Sequence, residues 1–211
     1  MKRATVLLLC AAAVLFLSGC IPAVSLHRFF PEKDEIFDSA LIATWVSKPD
    51  DKPGAEYSHP KYNCEIIKED NHYSIKVTEK EVTVYFTGYL GQIGKIKILD
   101  LHIRRFEGDL QKNLLANSSV LIHLFPVHSV ARLELNEDAL KVKFLGREWV
   151  DKKVKNNELK IPVEMGDNDS GSGYVLSASS EQLKGFLSEN IDTPGAFGGA
   201  EEIDFELVRQ K

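Results

Sequence analysis

Most of the chain beyond residue 62 alternates apolar and polar side chains with a period of two, which is typical of strands with one buried face. The clearest alternation occupies residues 72–79 (HYSIKVTE) and 139–145 (ALKVKFL), and residues 136–138 (NED) before the latter run predict a tight hairpin. Other strand-like runs occupy residues 41–46, 63–68, 81–90, 95–103, 119–125, 129–135, 158–165, 173–177 and 202–209.

Two amphipathic stretches interrupt this pattern and predict short helices over residues 147–155 and 180–189. Ser179 stands three residues before Gln182, which is the spacing of a capping box at the start of a helix. Three apolar residues of the second helix, Leu183, Phe186 and Leu187, then share one face.

These elements amount to eight to ten short strands with close connections and no regular alternation of strand and helix. We therefore expect a mainly β protein with one antiparallel β-barrel or strongly curled sheet, since closure removes exposed strand edges. A single β-rich domain is predicted over residues 40–211. A tether over residues 20–39 precedes it, with two prolines and the charged run PEKDE.

The first twenty residues have the layout of a secretory signal peptide. Two basic residues precede an apolar run over residues 4–17, which is shorter than the roughly 20 residues that a membrane-spanning helix needs. Residues 17–20 (LSGC) then resemble the lipobox of bacterial lipoproteins. The resemblance implies removal of residues 1–19 by cleavage between Gly19 and Cys20. It also implies acyl chains on the Cys20 sulfur and on the new amino terminus.

Two or three acyl chains on Cys20 would hold the domain at a membrane, because each buried CH₂ contributes about 0.8 kcal/mol and one chain alone binds marginally. Ile21 follows Cys20, whereas Gram-negative lipoproteins that stay at the inner membrane usually have Asp there. The resemblance thus implies a lipid-anchored envelope protein, at the outer membrane if the host is Gram-negative, with the host type left open. The alternative is an ordinary signal peptide in which Cys20 joins a disulfide.

Composition excludes some classes of partner. Cleavage would leave 192 residues and move the formal net charge from −5 to −7, which argues against nucleic acid and anionic membrane surfaces as partners. Cys10 leaves with the signal and Cys20 carries lipid, so Cys64 has no cysteine to pair with and no disulfide is expected. The position of Cys64 on a predicted strand favours a small buried hydrophobe over a nucleophile.

A second resemblance concerns the first and last strands of the predicted barrel. Ala43-Thr44-Trp45 opens the first strand and Arg209 lies on the last, which is similar to the Gly-x-Trp opening of lipocalins and their late arginine that packs on the tryptophan. Ala43 replaces the glycine, and a helix precedes the final strand instead of following the barrel. The resemblance, shared with lipocalin-like bacterial lipoproteins, implies a barrel and no particular ligand. Trp45 is expected in the core rather than in the wall of a ligand pocket.

Candidate catalytic or metal-binding residues are few. His123 and His128 flank Pro126 and could bind zinc or act as a base, but no Cys pair or HExxH motif accompanies them. We expect both to be partly buried residues of the sheet, and His102 to face away from the apolar side of its strand. No metal, cofactor or catalytic residue is therefore predicted.

Two loops and one carboxylate pair also fail as sites. Three glycines at residues 88, 91 and 94 lack the spacing of a nucleotide loop and predict bends in a curved sheet. Residues 165–173 (MGDNDSGSG) have the acidic character of a calcium loop, but Ala178 stands where the bidentate Glu belongs, so a flexible hairpin loop is expected. Glu201 and Glu202 are adjacent on a predicted strand and point in opposite directions, so they cannot flank one bond.

The sequence therefore predicts a membrane-anchored cell-envelope lipoprotein that acts as a non-enzymatic binding or assembly module. Its expected partners are the membrane, through the acyl chains on Cys20, and either an envelope protein or an apolar small ligand. The alternative is an envelope hydrolase that acts on lipid or glycan through His123 or His128. The identity of the ligand or partner and the oligomeric state stay open.

The lipobox makes a prediction that does not depend on the fold. Cells given radiolabelled palmitate should incorporate it into the wild-type chain and not into Cys20→Ala, because the Cys20 sulfur is the attachment atom. The mature wild-type chain should begin at residue 20. Wild-type protein without label, or a mature chain that still begins at Met1, would contradict the lipoprotein hypothesis.

Overall fold

The computed structural model describes residues 22–47, 62–79, 81–108, 127–166, 173–198 and 204–210. The helices in these residues are α1 (Arg147–Lys155) and α2 (Ser180–Asn190), and 3₁₀ turns occupy Glu32–Asp34 and Ser39–Leu41. The strands are β1 (Val24–Ser25), β2 (Ala43–Ser47), β3 (Tyr62–Glu69), β4 (His72–Glu79), β5 (Val82–Ile93), β6 (Ile96–Glu107), β7 (His128–Leu135), β8 (Ala139–Phe144), β9 (Val163–Gly166), β10 (Gly173–Leu176) and β11 (Asp204–Arg209).

Eight of these strands form a closed antiparallel barrel, which confirms the predicted fold class. Strands β2 to β8 pair with one another in chain order, and β11 pairs with both β8 and β2 to close the circle. The pairing of β6 with β7 runs from Lys97 opposite Leu133 to His102 opposite His128. Each barrel strand therefore has a hydrogen-bonded neighbour on both sides.

The strand positions follow the period-two pattern closely. The hairpin predicted at residues 136–138 joins β7 to β8, and the Asn136 N–H donates to the Ala139 carbonyl oxygen at 2.9 Å. Strands β5 and β6 are longer than predicted, at 12 residues each, because their pairing continues through the glycines and past a bulge beside Tyr85 and Phe86. The strand predicted over residues 119–125 lies outside the described residues.

Both predicted helices are present. Helix α1 has the predicted bounds, and α2 extends one residue further than predicted. The capping box is formed, with the Gln182 N–H donating to Ser179 Oγ at 3.4 Å and the Ser179 N–H donating to Gln182 Oε1 at 3.0 Å. These bonds satisfy backbone N–H groups that have no partner within the helix.

The helices and the β9–β10 hairpin form a second layer on the outer wall of the barrel. Ile98 and Val130 point outward from β6 and β7 and are fully buried under this layer, whereas Leu99 and Ala131 point into the barrel. The other buried residues of the layer are Ala23, Phe29, Phe30, Leu145, Val150, Tyr174, Leu176, Ala178, Leu183, Phe186, Leu187 and Ile191. Two apolar cores therefore share one wall of the barrel.

Residues 22–39 lie against the barrel, whereas the sequence predicts that they belong to a tether outside the β-rich domain. Phe29 and Phe30 are buried in the second layer, and β1 pairs with both β7 and β10. The Phe30 ring fills the space beside Gly91, where a Cβ would lie 2.6 Å from two of its ring atoms. Two aromatic side chains bury enough apolar surface to hold the segment in place.

The three glycines at residues 88, 91 and 94, in β5 and in the turn after it, have separate structural roles. Gly88 faces the interior, where a Cβ would lie 2.7 Å from Ile75 Cδ1, and Gly94 has a φ of +58° in the turn between β5 and β6. A left-handed φ is easily adopted by glycine, so Gly94 suits the two-residue turn. These three glycines serve close packing and a turn, in agreement with the expectation that they shape a curved sheet.

Among the described residues, neither α-helix is long and apolar enough to cross a membrane.

Two glycine substitutions should have opposite effects on stability. Gly91→Ala pushes a methyl group into the Phe30 ring and should lower the free energy of unfolding by about 1–3 kcal/mol, the usual cost of overpacking. Gly185→Ala, on α2 with open space beside it, should raise that free energy by about 0.5–1 kcal/mol. Urea denaturation of both variants measures these changes. A Gly91→Ala variant as stable as wild type would show that the Phe30 contact is absent.

Candidate functional site

The interior of the described barrel contains a cavity of about 320 Å³. Strands β3 to β8 and β11 all contribute to its lining, together with Leu41 and Pro22. Ser129 and the Tyr62 side chain are the exceptions to a lining that is otherwise aliphatic, aromatic or thiol. A volume of this size lies at the lower end of the range of about 300–1,000 Å³ seen for ligand pockets.

One end of the barrel, called the closed end here, is filled by Leu41, Trp45 and Arg209. Trp45 is fully buried, and its indole N–H donates to the Leu41 carbonyl oxygen at 3.0 Å. The Arg209 guanidinium carbon lies 4.6 Å from the centroid of the Trp45 ring, and the Arg209 Nη2 donates to the Ala40 carbonyl oxygen at 2.6 Å. Trp45 does not line the cavity, so it is a core residue, as expected, and not part of the wall of a ligand pocket.

Residues before β2 complete the closed end. The Tyr73 hydroxyl donates to the Asp38 carbonyl oxygen at 3.1 Å and accepts from the Asp38 N–H at 2.7 Å. Lys97 binds the Asp38 carboxylate, and this hydrogen bond holds the pKa of that carboxyl below its ordinary value. The Phe37 ring stacks on Tyr73 with centroids 5.5 Å apart. The segment before β2 is therefore fixed under the barrel.

The opposite end, called the mouth here, is lined by aromatic and aliphatic side chains that are partly exposed. The Phe205 ring lies 5.1 Å from Tyr62 and 6.2 Å from Phe144, measured between centroids. Ile103 also lines the cavity at this end and is 41% exposed. Half-exposed apolar residues around an apolar cavity give an uncharged ligand a favourable entrance.

Cys64 lies in the cavity wall. Burial raises the pKa of the thiol to about 12, so the thiolate is scarce at neutral pH. The thiol is free and buried, which agrees with a small buried hydrophobe rather than a nucleophile.

A polar cluster, the Asp100 cluster, lies outside the cavity on the wall shared with the second layer. It consists of Asp100, His102 and His128, with Phe29 above it. Asp100 is fully buried, and its carboxyl oxygens lie 2.6 Å from the Phe29 backbone nitrogen, which donates, and 2.7 Å from His128 Nδ1. The His128 ring stacks on His102 with centroids 5.1 Å apart.

The surroundings of His102 disfavour its charged form. Burial is the largest cause that lowers the pKa of His102, followed by the neighbouring His128, while Asp100 opposes both. Arg28 lies nearby and binds Glu35 at 2.9 Å while its guanidinium carbon sits 3.6 Å from the Tyr89 centroid. Burial raises the pKa of Glu35, and the Arg28 charge opposes this effect.

The structure brings together some of the predicted site residues. His102 faces away from the cavity that Leu101 and Ile103 line, as expected, and His128 joins it on the outer face. The other predicted site residues lie outside the described residues, namely Gly19, Cys20, His123, the loop at residues 167–172, Glu201 and Glu202. The described residues include no group of three or more His, Cys, Asp or Glu side chains placed to hold a metal ion.

Asp100 is the centre of the polar cluster and is not among the candidate residues predicted from the sequence. Its signal is a single acidic residue inside the apolar run KIKILDLHI, a place where an unpaired carboxyl group would be costly.

No protein-family model, curated protein or solved structure matches the chain.

The Asp100 cluster makes stability depend on pH. The folded state resists protonation of His102, whereas the unfolded chain takes up this proton below its ordinary pKa of 6.5, so acidification through that range should destabilise the protein. His102→Gln should lose less free energy of unfolding than wild type between pH 7.5 and 5.5, measured by urea denaturation. His27→Gln, at an exposed histidine, is the control and should keep the wild-type dependence. Equal pH dependence in His102→Gln and wild type would contradict this assignment.

Proposed function

We propose that this protein is a lipid-anchored, non-enzymatic module of the cell envelope that binds an apolar small ligand in its barrel. The cavity of about 320 Å³ is the observation that carries the proposal. Its lining offers almost no hydrogen-bonding group, so recognition would rest on burial of apolar surface. A hydrocarbon chain suits such a site, because each buried CH₂ contributes about 0.8 kcal/mol.

The arrangement of the barrel supports a binding role. The closed end is packed around Trp45 and Arg209, whereas the mouth end keeps unfilled space between side chains from seven strands. A barrel of eight strands has an interior just wide enough to be filled or to hold one small ligand. The proposed likeness to lipocalins draws on this closed barrel and on the Arg209–Trp45 contact, and it names no ligand.

The Asp100 cluster does not favour the hydrolase alternative. A carboxyl group that binds His Nδ1 is the usual way to orient a general base. Here, however, the other Asp100 oxygen binds the Phe29 backbone, and His128 is stacked on His102 with 13% of its side chain exposed. We assign these residues a structural role, which leaves binding as the proposed function.

Filling the cavity should abolish ligand binding. Val77 and Val84 are cross-strand neighbours that both line the cavity, so V77F/V84F replaces empty space with two rings. The substitutions are made in the unlipidated chain, residues 20–211 with Cys20→Ser, which serves as wild type in this test. Titration with the fluorescent apolar probe N-phenyl-1-naphthylamine should show at least about a tenfold loss of affinity against that chain.

The adjacent pair Thr78 and Thr83 provides the matched control. These residues face the outer side of the same strands, with their hydroxyl oxygens 3.2 Å apart. T78F/T83F adds the same bulk outside the barrel and should leave probe affinity within about twofold of wild type. Equal binding by wild type and V77F/V84F would reject the cavity as the binding site.

A further inference from the structure

The described chain begins in the wall of the cavity. Pro22 is one of the lining residues, and the Ala23 N–H donates to the Leu145 carbonyl oxygen at 3.0 Å. Val24 and Ser25 then pair with Ser129 and His128 of β7. Pro22 is therefore fixed beside the cavity and not at the far side of the barrel.

The predicted lipid attachment residue is two positions before Pro22 in the chain. Two residues of fully extended chain span at most about 7 Å, whatever their conformation. The chain that links the attachment residue to Pro22 is therefore no longer than that distance. Hydrocarbon attached at Cys20 starts within reach of the apolar cavity.

We propose that one of the acyl chains carried by Cys20 occupies the barrel cavity, an inference that rests on the proposed function and names its ligand. The occupant is then part of the same polypeptide. The remaining acyl chain or chains stay in the bilayer and keep the protein attached. The cavity shields the withdrawn chain from water.

Two physical arguments favour this occupant over a free lipid. A ligand tethered by so short a link has an effective concentration of millimolar order or higher, against which a dilute free lipid competes poorly. The cavity volume of about 320 Å³ also suits one hydrocarbon chain better than a whole phospholipid with its headgroup.

Moving one acyl chain from the bilayer into the cavity also costs little free energy. An acyl chain that leaves the bilayer for the cavity moves between two apolar environments, so the hydrophobic term changes little. The protein meanwhile gains contacts for side chains such as Leu101 and Leu140, which otherwise border empty space. Such gains favour the occupied state.

Cys64 offers a direct report of occupancy, because it lines the cavity and is the one free thiol once Cys10 is removed and Cys20 is acylated. Alkylation of Cys64 by N-ethylmaleimide is measured in the mature lipidated protein. It is compared with residues 20–211 carrying Cys20→Ser, which keep every described residue, in the same detergent. Occupancy above nine-tenths should slow alkylation of the lipidated form about tenfold.

A second pair of chains separates cavity occupancy from shielding by the detergent micelle. C64A/T83C moves the single thiol to the outer face at the mouth end of β5. The lipidated and unlipidated forms of this variant should react at equal rates. If the thiol at position 83 is slowed as much as Cys64, the micelle covers the mouth and the inference is overturned.

The outcomes distinguish this inference from the proposed function. Slow alkylation of Cys64 in the lipidated form, with N-phenyl-1-naphthylamine bound by the unlipidated form, supports both. Equal alkylation with probe binding intact overturns the self-occupied cavity and keeps the binding function for another ligand. Failure of the unlipidated form to bind the probe rejects the proposed function, and the self-occupied cavity falls with it.

Discussion

The buried carboxyl group of Asp100 joins the two layers of the protein. It lies on the outer face of β6, where it accepts a hydrogen bond from the Phe29 backbone and contacts His128 on β7. Loss of this group would leave a buried N–H without a partner, which costs about 1–3 kcal/mol. Because Phe29 is held there, the chain before it stays beside the cavity at Pro22 and the chain after it reaches the closed end at Asp38.

The barrel is packed unevenly along its axis, and this asymmetry confines the unfilled space to the part of the interior away from the closed end. At the closed end Trp45, Leu41 and Arg209 fill the interior, with the Trp45 N–H donating to the Leu41 carbonyl oxygen and the Arg209 guanidinium lying over the Trp45 ring. Toward the mouth, the inward-facing side chains do not meet across the barrel, and the cavity lies between them. Apolar cavities of this kind stay dry and are open to apolar ligands. The second layer supports the wall from outside, so the interior need not be filled for the barrel to hold its shape.

Local pattern predicted most strands of this fold, because inward and outward residues alternate along them. It could not reveal β1, which has two residues, or the docking of Phe29 and Phe30, which have no period. The contact of Arg209 with Trp45 follows the resemblance stated from sequence. The cavity itself has no sequence signal, since the same apolar residues can fill a barrel or line a hollow one. The role of Asp100 could not be predicted from local pattern, because its partners Phe29 and His128 are distant from it in the chain.

Closure of the barrel by β11 has a consequence for how the chain folds. This strand, Asp204–Arg209, follows all the other described strands in the chain, and it must bind β8 and β2 at once. Until β11 is in place, β2 and β8 each have one edge without a hydrogen-bonded neighbour, and the barrel is not closed. Domains usually form from the amino terminus during synthesis, but here the closing pairing joins the first and last strands of the barrel. A nascent chain that stops before β11 would expose both edges to other polypeptides, which makes ribosome stalling before this strand a source of aggregation.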